Sequence, residues 1–115
     1  MIAKKHTIRI GWDLSPAKTD EYKRHQFGVA ASLIEDTLAD LSGGWTRIDG
    51  TGGWRNDTGH MYREPMRQYD WVEAPLSAPD NHDQQIKDLI KRVKELTGEE
   101  AVYWEMTSGV RIEFI

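Results

Sequence analysis

Cysteine is absent from this chain of 115 residues, and so is any long apolar run. Without cysteine there can be no disulfide, no thiolate metal site and no cysteine nucleophile, and the composition fits a cytoplasmic protein. No window approaches the ~18 apolar residues that identify a membrane span. The first thirteen residues also lack the apolar core of a secretory signal. We therefore expect a cytoplasmic protein without a membrane-spanning segment.

Sequence signatures of catalysis and of cofactor binding are missing as well. The four histidines, at positions 6, 25, 60 and 82, form no H-E-x-x-H or H-x-H pattern. Nucleophile-elbow, P-loop and dinucleotide fingerprints are absent. Asp80, His82 and Asp83 lie together, but capping and the helix dipole account for them at a predicted helix start. The sequence therefore predicts neither a metal nor a cofactor.

The charge balance is mildly acidic, with a formal net charge of −4. Nucleic-acid binding needs clustered basic residues to neutralise phosphates, so direct binding to DNA or RNA is not expected. With 38% hydrophobic and 30% charged residues, the composition is that of a globular protein. The length is typical of one domain, and we predict a single domain over residues 1–115.

Hydrophobic spacing predicts a first strand followed by a long helix. Apolar residues alternate with polar ones over Thr7–Leu14, which is the period of a half-buried strand. Pro16 suits the first turn of the helix that follows. Apolar residues then recur every three or four positions over about Thr19–Leu41. The predicted buried stripe of this helix comprises Phe27, Ala30, Ala31, Ile34, Leu38 and Leu41.

A second helix precedes the C-terminal segment. Asn81 and Gln84 resemble a capping box, although Asp80 could cap instead, and Gly98 fits the residue that ends the helix. The predicted buried stripe comprises Ile86, Leu89, Ile90, Val93 and Leu96. Glu99 and Glu100 after this helix, like Asp13 and Ser15 after the first strand, are interpreted as ordinary surface residues.

The segment between the helices is rich in glycine and tryptophan and is predicted to form a long, bent hairpin. Asn56-Asp57-Thr58-Gly59 makes a good turn between arms of about Trp45–Arg55 and His60–Ala74. The glycines at 50, 52 and 53 predict a bulge or bend in the first arm. Pro65 predicts an edge position or an irregularity near the start of the second arm.

Two short strands are predicted at the C-terminal end, over Ala101–Met106 and Val110–Ile115, with a turn at Thr107-Ser108-Gly109. With right-handed crossovers, the element order makes a ferredoxin-like βαββαβ sandwich of the α+β class, plus an extra short C-terminal strand. Both helices then cover one face of the sheet. The other face is either solvated or shared with a second copy, so a homodimer is possible.

Six hairpin residues form the candidate binding site. Two arginines can grip a phosphate or carboxylate bidentately, and a tryptophan can stack on a base. The more common arrangement is an Arg–Glu ion pair that braces the hairpin, and such exposed pairs contribute little free energy. The candidate residues are Trp54, Arg55, His60, Arg63, Glu64 and Arg67.

The segment GWRNDTGHMYREP resembles a small uncharacterised family of bacterial and phage domains. Its members share a G-x-W-R element, a turn, and an R-E-P element that leads into a strand. The residues that match are Gly53, Trp54, Arg55, Gly59, Arg63, Glu64 and Pro65, with a looser match at Val102, Ile112 and Phe114. The resemblance implies the ferredoxin-like fold and no particular activity.

Three functions of different classes fit these observations. The first is a non-enzymatic binding protein, such as a phage-type accessory protein that blocks a host factor through the Trp/Arg-rich hairpin. The second is a homodimer that binds a nucleotide or another small anion. The third is a small enzyme that uses His60 and Glu64 as proton-transfer groups.

Overall fold

The computed structural model describes all 115 residues and contains four strands and two helices. In chain order these are β1 (Ile2–Gly11), α1 (Glu21–Ser42), β2 (Thr46–Arg55), β3 (Met61–Glu73), α2 (His82–Thr97) and β4 (Tyr103–Arg111). All neighbouring strands are antiparallel, and the sheet has the order β2-β3-β1-β4. The predicted ferredoxin-like α+β fold is confirmed.

Both helices pack on one face of the sheet, which we call the helix face. The predicted stripe of α1 is buried except for the half-buried Ala31, and in α2 only Ile90 is half-buried. From the sheet, Ile8, Ile10, Tyr69 and Trp71 complete one continuous core. Neither helix combines the length and the apolar composition that a membrane span needs.

The caps at the helix ends differ in part from the prediction. Helix α1 begins after Asp20, whose Oδ1 accepts from the Lys23 amide at 2.7 Å, while Pro16 lies in a separate turn. Gly98 ends α2 in the left-handed conformation, as predicted. The capping box is wrong, because Asn81 makes no side-chain cap bond and instead accepts from Gln85 Nε2.

The hairpin is more regular than its glycines suggested. Ten consecutive residue pairs join β2 to β3 with no shift in register, so the predicted bulge at glycines 50, 52 and 53 is wrong. Pro65 does lie at an edge, because the pairing of β3 with β1 ends one residue away at Gly11 and Met66. Its carbonyl accepts from the Trp12 amide at 2.9 Å.

One continuous strand, β4, replaces the two predicted C-terminal strands. Within the predicted turn, Ser108 and Gly109 form a bulge opposite Lys4, where β4 carries one residue more than β1. Gly109 takes a positive φ of 70° there, which glycine adopts without strain. No extra C-terminal strand is present.

Candidate ligand-binding site

Strand alternation divides the predicted site residues between the two faces of the hairpin. Trp54 pairs with Tyr62 and Gly52 pairs with Glu64, so the side chains of Trp54, Tyr62 and Glu64 share one face of the hairpin. Arg55 and Arg63 belong to the alternate positions and neither forms a salt bridge. The Arg–Glu ion pair expected to brace the hairpin is not formed, because no arginine pairs with Glu64 and Arg67 pairs with Asp49 instead.

Arg67 lies away from this group and has a structural role. Its Nε and Nη2 donate to the Asp49 carboxylate at 2.7 and 3.3 Å, and its guanidinium carbon lies 4.5 Å from the centre of the Trp12 ring. This bond lowers the pKa of Asp49. The side chain of Arg67 is only 13% exposed, so it braces β2 against β3, and it does not line the cavity described below.

Aromatic rings gather at the tip of the hairpin. The rings of Trp54 and Tyr62 stack with their centres 4.4 Å apart and their planes 15° from parallel, and His60 meets Tyr62 edge-on at 4.5 Å. Asn56 orders the turn by accepting from the amides of Thr58 and His60. Trp54 remains 55% exposed, so its indole is available to a ligand.

A cavity of about 290 Å³ opens beside this aromatic pair. We call it the hairpin cavity. The cavity lies beyond the end of β1, where β3 is paired with β2 alone. The start of α1 and Glu99, the residue after Gly98, close it. Its lining comprises Asp13, Lys18, Thr19, Lys23, Phe27, Trp54, Tyr62, Arg63, Glu64 and Glu99.

The cavity brings two carboxyl groups together in a partly desolvated place. Burial and then the negative charge of Glu64 raise the pKa of Glu99, while Lys23 acts in the opposite direction. A carboxyl group shifted in this way holds its proton to higher pH and is the stronger base when ionised. Glu99 is half-buried, so the sequence interpretation of this residue as an ordinary surface carboxylate is wrong.

The charges of the lining are balanced. Three acidic residues (Asp13, Glu64 and Glu99) face three basic ones (Lys18, Lys23 and Arg63). Of the two arginines predicted to grip an anion, only Arg63 lines the cavity. Such a lining suits a ligand that carries both signs of charge better than it suits a polyanion.

The comparisons with known proteins concern the fold. No protein-family model matches the chain, and no curated protein matches its sequence. A phage SAM lyase in complex with S-methyl-5′-thioadenosine superposes with a TM-score of 0.60 and 13% identity, over 92% of this chain and 81% of that one. The same enzyme type in its apo state gives 0.59 and 17% identity, over 93% and 81%.

A DUF3240 family protein from Shewanella baltica shares the fold over the full length of both chains. The TM-score is 0.52 with 10% identity, over 100% of this chain and 99% of that one. At these identities the likeness extends to the fold alone. The resemblance of the G-x-W-R and R-E-P elements to a bacterial and phage family stays a prediction.

A second cluster of titratable side chains lies near the start of α2. It comprises His6, Glu73, His82 and Asp83, whose ligand atoms all lie within 4.8 Å of one another. Both histidines are buried. His6 Nε2 lies 2.8 Å from Glu73 Oε1, and His82 Nδ1 lies 2.8 Å from Asp83 Oδ1. Imidazole and carboxylate groups are the side chains that bind divalent metals in many proteins.

Hydrogen bonds from two tryptophans argue against a metal ion at this cluster. Trp104 Nε1 donates to His6 Nδ1 and Trp71 Nε1 donates to His82 Nε2, each at 3.0 Å. An indole N–H can only donate, so the nitrogens that face the carboxylates carry the protons. In metal sites the second ring nitrogen of a histidine donates instead of accepting. We therefore assign this cluster to the structure of the protein, as a buried hydrogen-bond network.

A partial signal for this network is present in the sequence. His6 precedes Ile8, Ile10 and Trp12 at the same alternation, so it falls on the helix face of β1. Its partners Trp71, His82 and Trp104 lie more than sixty residues away. Spacing in one sequence does not show which distant residues meet. His82 serves this network, whereas the sequence interpretation gave it a role in capping α2.

Of the six predicted site residues, the structure brings three to the hairpin cavity: Trp54, Arg63 and Glu64. His60 lies at the hairpin tip and contacts Tyr62. Arg55 does not line the cavity. Sequence analysis missed Tyr62, Lys23 and Glu99. These residues come from three elements, and only the fold brings them together.

Proposed function

We propose that this protein binds an adenosine compound that carries sulfur, either S-adenosylmethionine or S-methyl-5′-thioadenosine, in the hairpin cavity. The observation that carries the proposal is the combination of a stacked Trp54–Tyr62 pair with the Glu64 and Glu99 carboxyls in one cavity. The fold likeness to a phage SAM lyase that holds S-methyl-5′-thioadenosine supports it. The proposal places the protein in the cytoplasm, where S-adenosylmethionine is made.

The aromatic pair suits the adenine base. Stacking of a base on an aromatic side chain contributes about 1–3 kcal/mol, and the exposed indole of Trp54 offers that surface. A cavity of about 290 Å³ lies near the lower limit of ~300 Å³ for small-molecule pockets, which is appropriate for a single nucleoside.

The balanced charges suit the rest of S-adenosylmethionine. Its sulfonium and ammonium groups are cations that Glu64 and Glu99 attract, and its carboxylate can pair with Lys23 or Arg63. A nucleoside triphosphate would bring several negative charges close to three acidic residues. A ligand of mixed charge therefore fits the cavity better than the small anion expected from the sequence.

A binding experiment tests the proposal with four ligands: S-adenosylmethionine, S-adenosylhomocysteine, S-methyl-5′-thioadenosine and ATP. We expect calorimetry to detect the three sulfur compounds and not ATP. Trp54→Ala should weaken binding of all three about 10- to 100-fold, as the loss of one stacking contact implies. Trp45→Ala is the matched control, because Trp45 is partly exposed and lies outside the hairpin cavity.

Charge recognition gives a second, independent readout. Glu64→Gln removes a negative charge, so it should weaken binding of the sulfonium ligand more than binding of the uncharged thioether. Equal loss for both ligands would place Glu64 away from the sulfur. Absence of binding by every sulfur compound, or tighter binding of ATP, would overturn the proposed ligand class.

Cleavage of S-adenosylmethionine is a second candidate, favoured by the raised pKa of Glu99. In this reaction the bond between sulfur and the four-carbon chain breaks, and its electron pair stays on sulfur, which leaves as the neutral thioether. Either Glu99 takes a β-proton and an alkene forms, or the substrate's own carboxylate displaces the sulfur and a lactone forms. Mass spectrometry of the products distinguishes the two routes, and intact substrate would exclude both.

A protein partner at the hairpin remains the alternative that the sequence suggested. Met61 and Tyr62 are exposed beside Trp54 at the tip, 37% and 41% respectively. Capture of a host protein that survives Trp54→Ala, while ligand binding is lost, would assign the two activities to different surfaces.

A further inference from the structure

We propose that Gly11 is a positioning residue of the hairpin cavity: the missing side chain at this position leaves the space in which the Glu99 carboxylate lies. The inference rests on the proposed function, because it concerns a residue that faces the proposed ligand. It adds a residue that does not itself line the cavity.

The atoms nearest to the position of the missing side chain at Gly11 belong to one group. A Cβ atom added to Gly11 would lie 2.7 Å from Oε2, 3.0 Å from Cδ and 3.1 Å from Oε1 of Glu99. All three nearest atoms therefore belong to the same carboxyl group. Gly11 does not have a positive φ, so its backbone conformation is one that any residue can adopt. The reason for glycine here is the approach of Glu99.

The end of α2 holds Glu99 in this place. Gly98 turns the chain with a φ of 75°, and its amide donates to the Lys94 carbonyl. The Glu99 amide then donates to Thr97 Oγ1 at 3.3 Å. These bonds fix the backbone of Glu99 relative to α2, and the gap at Gly11 lets its side chain reach the end of β1.

The substitution Gly11→Ala is expected to change the cavity and to leave the fold nearly unchanged. The atoms that must move are the far end of a flexible side chain, so Gly11→Ala displaces the Glu99 carboxylate at little cost to stability. Displacement takes the carboxylate out of its partly buried position beside Glu64. The two largest causes that raise the pKa of Glu99, burial and the charge of Glu64, then weaken, and that pKa should fall towards its ordinary value.

The experiment uses Gly11→Ala, Glu99→Gln and the double variant. Gly50→Ala is the matched control, because Gly50 is a strand glycine with no atom within 4 Å of an added Cβ. NMR titration of the glutamate side-chain carboxyls reports the pKa of Glu99, and calorimetry reports binding of S-adenosylmethionine. We expect Gly11→Ala to lower that pKa and weaken binding about tenfold, with a thermal midpoint close to that of the wild type.

In the Glu99→Gln background, Gly11→Ala should have no further effect on binding. A raised Glu99 pKa that persists in Gly11→Ala, or additive losses in the double variant, would overturn the inference. If the wild type binds none of the adenosine compounds, the proposed function fails. The NMR titration still decides whether Gly11 positions Glu99.

Discussion

The direction of two hydrogen bonds fixes where the protons of the buried histidines lie. Because Trp104 and Trp71 can only donate, the acceptors are Nδ1 of His6 and Nε2 of His82. Burial also lowers the pKa of His6, partly offset by its bond to Glu73. His6 is therefore neutral at pH 7, with its proton on Nε2.

We expect Trp104→Phe to make protonation of His6 at both ring nitrogens easier. The variant leaves a buried acceptor without a partner, which costs about 1–3 kcal/mol of stability. It also permits a second proton on the ring, so the pKa of His6 should rise. Histidine ¹⁵N shifts in the wild type should show a protonated Nε2 and an unprotonated Nδ1.

Trp45→Phe serves as the control for Trp104→Phe, because the Trp45 ring contacts Tyr69 without a bond to a histidine. A wild-type spectrum with the His6 proton on Nδ1 would contradict the assigned tautomer. It would also reopen the cluster to metal binding, since Nε2 would then carry a free lone pair towards Glu73.

At the scale of elements, the hairpin shows that glycine can occupy a regular strand. Gly50, Gly52 and Gly53 all lie within an unbroken ladder of residue pairs. Gly59, in contrast, has a φ of 84° in the turn. The two kinds of glycine should respond in opposite ways to substitution.

We predict that Gly50→Ala stabilises the protein by about 0.5–1 kcal/mol, because alanine restricts the unfolded chain and its Cβ meets no atom. Gly59→Ala should destabilise by about 1–2 kcal/mol, because alanine is strained at positive φ. Urea unfolding of both variants measures the difference. Equal signs for the two changes would contradict the assigned backbone conformations.

The helices could be predicted from the sequence because a 3.6-residue pattern depends only on near neighbours. The start of β1 could not, since Lys4, Lys5 and His6 interrupt the alternation of apolar residues. The bulge at Ser108 and Gly109 has the composition of a turn, and only pairing with β1 distinguishes the two. For the same reason, Glu99 could not be connected to Glu64 before the fold was known.

For the whole molecule, the buried histidine makes stability depend on pH. The pKa of His6 is lower in the folded than in the unfolded chain, so below about pH 6.5 the unfolded state binds the extra proton. The groups that face His6 are Glu73, His82 and Asp83, with Lys4 near Glu73. Acid therefore shifts the balance towards unfolding.

We expect the free energy of unfolding to fall between pH 7 and 5.5, by up to about 1.4 kcal/mol per pH unit for one proton. Urea unfolding at three pH values measures the slope. His25→Gln should leave it unchanged, because His25 is exposed on α1. Trp104→Phe should reduce it. A flat profile over this range would contradict a neutral buried His6.

Pairing of two copies through the open face of the sheet stays a prediction. That face carries a polar network in which Arg9 binds Gln68 and Glu105, and Thr7 donates to Asp70. Tyr103 packs against Arg9 in the same network. Tyrosine and arginine are enriched in protein interfaces, so the composition is compatible with a second copy. Sedimentation velocity at several concentrations tests it.

The indoles bonded to His6 and His82 also give the molecule an optical property. A protonated imidazole accepts an electron from an excited indole and quenches its fluorescence. Emission from Trp104 therefore reports the charge of His6, to which its indole is bonded. Trp54, beside the hairpin cavity, is remote from both histidines in the sheet. The protein thus carries natural fluorophores at the buried histidine network and, separately, at the proposed ligand site.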